Sequence, residues 1–280
     1  MGFPMPGGAR GGGLGLAGIA LVVVIGLLMG SDPLQILGQI IGGGSGPSVG
    51  LPSPGGGGGV DVAAREPFQA TPQEEELVDF VSFVLDDVQE FWPTKIRGYE
   101  DAKLVLFRDL TQSACGLGQA AMGPFYCPGD QKVYIDLGFY GELKKRFGAP
   151  GDFAQAYVLA HEIGHHIQKM SGIEPRVRQL QQRAPRQKNH LSVMMELQAD
   201  CLAGVWGHSA AKRGILERGD IEEGLQAAAA IGDDRMQQMS GRAVQPEGFT
   251  HGSSEQRVMW LNRGLNSGDP DRCDTFQGAL

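Results

Sequence analysis

The sequence predicts an α+β domain, mostly helical with a small sheet, standing behind an apolar N-terminal segment and a glycine-rich linker. Long stretches with apolar residues at i, i+3, i+4 and i+7 dominate from residue 71 onward. Two short β-rich runs, Lys103–Phe107 and Lys132–Asp136, give the strand signals. Much of the excess among the 44 glycines falls in the first sixty positions, where the composition is not that of a folded domain. With 280 residues at 41% hydrophobic, the rest of the chain can bury one substantial core. The net charge of −8 gives no support for a nucleic-acid partner.

Residues 1–13 are rich in Gly and Pro and carry one charge, Arg10. Leu14–Met29 follows, 16 residues without a charge. As a helix it spans about 24 Å, slightly short of a hydrocarbon core of about 30 Å, and flanking glycines can lengthen it. We expect a single-span anchor over residues 14–30 that meets the lipid bilayer. The competing reading is a cleaved signal peptide, but Gly30-Ser31-Asp32-Pro33 is not a clear small-x-small cleavage site. Arg10 on one flank and Asp32 on the other place the tail of residues 1–13 in the cytoplasm. Either way the body of the protein is exported. Leu34–Ile41 can prolong the helix or lie at the interface. Gly42–Gly59 has almost nothing to bury, so residues 31–65 read as a flexible Gly/Pro-rich linker. The folded domain is expected over 66–280.

Thr71-Pro72 with Glu74–Glu76 is a helix start: an N-cap hydroxyl, a first-turn proline and first-turn acids. Leu77, Phe80, Val81, Val84, Leu85, Val88 and Phe91 continue it and Pro93 stops it. Between the two strand runs, Cys115–Cys127 is too glycine-rich for a helix; Gly118–Phe125 could offer an edge strand to a peptide or form a disulfide-closed surface loop. Tyr140–Phe147 reads as a brief helix. A longer one runs from about Gly151 or Asp152, with Asp152 as cap, to Met170. Residues 174–190 are polar and locally basic, which suits a solvated loop, an exposed helix or an acidic partner. Further helices are expected over Leu191–Arg213, over Ile221–Ser240 with a capping-box-like Asp220-Ile-Glu-Glu223 start, and from the Thr250–Arg257 segment through Leu261.

The chemistry sits in Ala160-His-Glu-Ile-Gly-His-His166. On a helix, His161 and His165 project from one face and can hold a divalent metal, with Glu162 in reach of a water beside it. Two core histidines without a metal are the plain alternative. Gly164 inside the motif implies a close helix or metal approach. A catalytic zinc needs a third protein ligand, and the candidates are His166, Glu196, Asp200, His190, His208 and His251. His166 points about 100° away from His165 and is a poor one. Glu196 is better, because a second, antiparallel helix can set its carboxylate over the two imidazoles. Asp200, one turn along, can accept the ring N–H of a ligand histidine. Glu162 would then serve as general base toward a metal-activated water. A donor for the developing oxyanion is still required. His251 is the first candidate, and Tyr126, Tyr134 or Tyr157 the second. Arg257 could orient His251, hold substrate, or form an ordinary surface ion pair.

None of the four cysteines stands in a Cys-x-x-Cys pair, so a thiolate zinc site is disfavoured. In an exported domain an even number suggests disulfides. Cys115 and Cys127 flank a compact loop, which leaves Cys201 to pair with Cys273; buried free thiols are the alternative.

The sequence resembles the bacterial family of membrane-anchored neutral zinc metallopeptidases. The matching stretches are Gly-Pro-Phe-Tyr-Cys-Pro at 123–128, Val-Tyr-Ile-Asp at 133–136, Ala-His-Glu-Ile-Gly-His-His at 160–166, Glu-Leu-Gln-Ala-Asp-Cys-Leu-Ala-Gly-Val-Trp at 196–206, Thr-His-Gly-Ser-Ser-Glu-Gln-Arg at 250–257 and Cys-Asp-Thr-Phe at 273–276. The resemblance implies a zincin-like domain, one Zn2+ per chain and a peptide or protein substrate. It also implies a bacterial cell-membrane location with the catalytic domain on the periplasmic or extracellular side. More distantly, Glu196-x-x-x-Asp200 and His251-x5-Arg257 resemble motifs of the CAAX-prenyl endopeptidase group of gluzincins. That implies Glu196 as third ligand and His251 with Arg257 near the transition state. Met195 stands where many gluzincins carry Asn before the ligand Glu, which leaves that outer contact unassigned. The leading expectation is therefore a zinc endopeptidase. The alternatives are a catalytically inactive metal-binding or partner-binding envelope protein and a different zinc hydrolase.

Overall fold

The computed structural model describes residues 70–147 and 151–277. Helix α1 (Pro72–Phe91) starts with a full capping box: the Thr71 hydroxyl accepts from the Glu74 amide, and the Glu74 carboxylate accepts from the Thr71 amide at 2.7 Å. Val81, Val84 and Val88 form its buried stripe.

The strands are β1 (Lys103–Phe107), β2 (Leu110–Ser113), β3 (Gly116–Gln119), β4 (Phe125–Cys127) and β5 (Lys132–Asp136). β5 lies between β1, which it pairs in parallel with Val133 opposite Leu104, and β4, which it pairs antiparallel with Val133 opposite Tyr126. β2 and β3 form a separate antiparallel hairpin. A disulfide joins Cys115 at the hairpin turn to Cys127 at the end of β4. The two strands expected from the sequence are β1 and β5. The Gly118–Phe125 stretch, expected as an edge strand or a disulfide-closed loop, has features of both. It holds the end of β3 and the start of β4, β4 lies at the edge of the three-stranded sheet, and the Cys115–Cys127 cross-link closes the loop. The pairing of β2 with β3 was not expected.

Helices α2 (Phe139–Phe147), α3 (Asp152–Met170), α4 (Ile173–Arg183), α5 (Lys188–Lys212), α6 (Asp220–Ala230), α7 (Asp233–Met239) and α8 (Ser254–Ser267) follow. The polar 174–190 segment is largely helical: Val177 turns α4 inward, and a 3-10 turn at Pro185–Gln187 leads into α5. The helix expected over Ile221–Ser240 breaks at Ile231-Gly232. A Cβ on Gly232 would lie 2.3 Å from the Ser254 amide nitrogen, so the approach to α8 runs against this break. Two caps differ from expectation. Gly151, not Asp152, is the N-cap of α3, and the Asp152 carboxylate accepts from the Phe153 amide. Gly219 caps α6 without a side-chain bond, so the Asp220 capping box does not form.

α5 is the centre of the domain. Every residue from Leu197 to Gly207 is buried, so this stretch has no solvent face. It packs against α8 and α3, and more lightly against α1. The α5–α8 crossing depends on glycine on both sides. A Cβ on Gly264 would lie 2.0 Å from the Cys201 carbonyl oxygen, and one on Gly204 would lie 2.2 Å from that of Leu261. On the other side, a Cβ on Gly164 would come within 3.0 Å of the Ala199 backbone, so α3 and α5 touch closely through the histidine motif itself. A second disulfide joins Cys201 on α5 to Cys273, in the 3-10 turn after α8. Both cysteine pairs are thus those expected from the sequence. At the far end of α5, Asp87 on α1 accepts from the Trp206 indole at 2.7 Å and from Arg213. Among the described residues no helix is long and apolar enough to cross a membrane. The expected anchor over 14–30 and the linker over 31–65 lie outside the described residues.

Candidate metal and catalytic site

α3 and α5 bring His161, His165 and Glu196 together, with one ligand atom from each lying within 4.8 Å of the others. His161 Nε2 is 3.1 Å from Glu196 Oε2, and His165 Nε2 is 3.5 Å from Glu196 Oε1. Donors bound tetrahedrally to zinc at its usual bond lengths stand about 3.3 Å apart. The spacing therefore fits a single zinc ion, as does the donor set of two imidazoles and one carboxylate. Burial opposes charge on both imidazoles, yet the neighbouring carboxylates prevail: His161 is raised above its ordinary value by Asp200 and Glu196, and His165 is pushed up to about 9 by Glu196 and Glu162. Burial likewise pushes the Glu196 carboxyl up, but the two histidines hold it well below the usual carboxylate range.

The outer nitrogen of each of these two histidines is anchored. His161 Nδ1 lies 2.8 Å from Asp200 Oδ1, and Asp200 is fully buried. The same carboxylate accepts from the Tyr157 hydroxyl at 2.5 Å and from Arg257 through Nη2 at 2.8 Å and Nε at 2.9 Å. Burial works against ionised Asp200, and Arg257 and His161 overcome it, holding the carboxyl at about 2. Such a fully partnered ionic cluster is what burial of these charges demands. His165 Nδ1 lies 2.8 Å from Gln168 Oε1.

Glu162, next to His161, is 7% exposed, and among the described residues no protein group donates a hydrogen bond to its carboxylate. His251 sits in the loop before α8 with its side chain half exposed. Its Nδ1 lies 3.1 Å from Asp233 Oδ1, while Asp233 Oδ2 accepts from the amides of Thr250, His251 and Gly252. Enclosure by the protein lowers the His251 pKa, but Asp233 and the field of Glu196 outweigh it and leave the ring above its ordinary value.

Several expected roles are redirected. Arg257, expected to orient His251, hold substrate or form a surface ion pair, is 3% exposed, and its guanidinium is bonded to Asp200 and Tyr157. Tyr126 on β4 points its hydroxyl to His166 Nδ1 at 2.9 Å, where it is already engaged. Tyr157 and Tyr134 are likewise bound, to Asp200 and Asp130. His166 is fully buried and held by Tyr126 and the Glu100 carbonyl, off the ligand set. His190 is exposed and His208 bonds the Leu265 carbonyl.

The family model described as "Putative neutral zinc metallopeptidase" matches residues 2–276. The chain belongs to this family. Among curated relatives, the Uncharacterized protein YpfJ of Escherichia coli (strain K12) is 56% identical over 215 residues, 75% of each chain. The Uncharacterized protein Rv2575 of Mycobacterium tuberculosis (strain H37Rv) is 40% identical over 205 residues, 69% of each chain. No solved structure matches the chain.

In this metallopeptidase-family chain, Gln168 and Asp233 are functional candidates that the sequence reading missed. Gln168 lies three residues after His165 on α3 and is fully buried, but with His165, His166 and Lys169 around it the sequence carries no local sign of that burial. Asp233 follows the glycine that breaks α6 from α7, and nothing local ties it to His251.

Proposed function

We propose that this protein is a zinc-dependent endopeptidase. The carrying observation is the convergence of His161 Nε2, His165 Nε2 and the Glu196 carboxylate, each imidazole held from behind, beside the Glu162 carboxylate. One zinc per chain would be held by those three residues, and when bound it supplies Lewis acidity toward water and a peptide carbonyl. Glu162 takes a proton from the attacking water, keeps it while the tetrahedral species forms, and delivers it to the leaving amine nitrogen. His251, fixed through Nδ1 by Asp233, donates in its protonated form from its other ring nitrogen to the developing oxyanion. Asp200 and Arg257 support this from behind the ligands. A cavity of about 490 Å³ opens beside His165 and Glu196, walled by Glu174, Val177, Arg178 and Met195, and gives a peptide room to lie against the site.

The anchor over residues 14–30, the cytoplasmic tail over 1–13, the linker over 31–65 and a zincin-like domain over 66–280 belong to the same proposal. So does a place at a bacterial cell membrane with the catalytic domain outside the cytoplasm. The apolar run and Gly-rich tether support it, and two disulfides fit an oxidising compartment.

The test is peptide-library cleavage by zinc-loaded protein and by Glu162→Gln, with metal content measured on both. Cleavage by wild type, lowered about 100- to 10,000-fold in the variant at equal zinc, supports the reading. Equal inertness of two zinc-loaded proteins on all peptides overturns it and leaves a non-catalytic metal protein.

A further inference from the structure

We infer that Gln168 is the positioning residue for His165, and that a relay of two buried side-chain amides fixes which ring nitrogen of His165 faces the metal. The inference rests on the ligand set proposed above. Gln168 is fully buried and Gln198 is 6% exposed. Gln198 Nε2 donates to the Cys273 carbonyl at 3.0 Å, and its Oε1 accepts from Gln168 Nε2 at 3.1 Å. Gln168 Nε2 also donates to the Met195 carbonyl at 2.7 Å. Gln168 Oε1 is left facing His165 Nδ1 at 2.8 Å.

The polarity of this chain has one solution. A backbone carbonyl only accepts, so Cys273 requires the NH2 end of Gln198 and Met195 requires the NH2 end of Gln168. Turning either amide around would set oxygen against oxygen in a buried place, where an unmet polar group is expensive. The Gln168 oxygen must then face His165, and an amide oxygen can only accept. In its neutral, metal-binding form His165 therefore carries its proton on Nδ1 and presents a lone pair on Nε2, the atom next to Glu196. On the other ligand, Asp200 imposes the same tautomer on His161 by charge. Here a neutral relay does it, and its origin at Cys273 is held to α5 by the disulfide to Cys201.

Gln168 has a second effect. One side chain on α3 grips the backbone of α5 at Met195, so it also ties the two helices together and contributes to stability.

The two effects separate in two substitutions. Gln168→Met keeps length and shape and removes both the acceptor for His165 and the donor to α5. Gln168→Glu keeps the acceptor and removes the donor. Zinc affinity is measured on metal-free full-length protein by competition with a chromophoric chelator, and Co2+ is added to read the ligand field. We expect Gln168→Met to weaken zinc about 10- to 100-fold and to alter the Co2+ spectrum. Gln168→Glu is expected to stay within about threefold of wild type, although both variants melt at lower temperature. Equal zinc affinity in wild type and Gln168→Met overturns the inference, as does an equal loss in both variants. Should Gln168→Met not fold, a loss of tenfold or more in Gln168→Glu alone overturns it. Failure of wild type to bind zinc would instead sink the ligand set itself, a separate result.

Discussion

Asp233 holds His251 by two means at once, its side chain through Nδ1 and its loop through three backbone amides. A half-exposed histidine so fixed has an orientation that is set before any substrate arrives, which is the condition for useful electrostatic stabilisation. If His251 donates to the oxyanion, His251→Ala should lower kcat by about 100- to 1,000-fold. Asp233→Ala should lose a smaller part of that, with zinc content unchanged in both. Steady-state kinetics beside metal analysis checks this, and full activity in Asp233→Ala would detach the loop from the chemistry. At this scale His161, Glu162, His165, Glu196 and Asp200 were legible because their spacing is the period of the helix, a property of the chain alone. Gln168 and Asp233 were not, because each acts on a partner brought close only by folding. Arg257 was legible as important but not for what it does: nothing local shows that a charged residue in the first turn of a helix will be buried behind a carboxylate.

Helix α5 has neighbours on almost every side, and two glycines facing one another let α8 approach it. A methyl on Gly264 has no room at 2.0 Å from the Cys201 carbonyl oxygen, since that atom belongs to a rigid helical backbone. Gly264→Ala should therefore force the helices apart and cost at least about 1–3 kcal/mol, read as a fall in the denaturation midpoint. A substitution that left stability unchanged would show that the crossing is softer than described. The gain in helix propensity on replacing Gly by Ala, about 1 kcal/mol, works the other way and is the smaller effect. Helix positions were legible from apolar periodicity, and α1, α3 and α5 lie close to where the sequence put them. The hairpin and the break at Gly232 were not, because short glycine-rich strands and a helix interruption are decided by what packs against them.

For the molecule as a whole, the Cys201–Cys273 disulfide closes a loop of sequence separation 72 around α6, α7 and α8. Constraining a loop of that length in the unfolded chain is worth about 4 kcal/mol in the chain-entropy account. The double substitution Cys201→Ala/Cys273→Ala should lose a large share of that in urea unfolding, whereas removing the pair Cys115–Cys127, with a separation of 12, should lose less. The reverse order would show that the short loop, not the long one, controls stability. The pairing was legible from cysteine spacing. The stacking of α3, α5 and α8 was not, since period shows which face of a helix is buried but not against which neighbour.

The ionic cluster around the ligands has a consequence for how the site responds to its surroundings. Glu162, Glu196 and Asp200 bring three negative groups into one enclosed region, and Arg257 returns a single positive one. With neutral imidazoles the region falls short of electroneutrality by the charge of one divalent cation. In the absence of that cation the histidines draw in protons instead, which is why both are raised above their ordinary values. Proton and metal are thus rival counterions for the same hole. Filling it with metal expels protons, and acidifying the medium expels metal, so an acidic compartment would empty the site without any chelator.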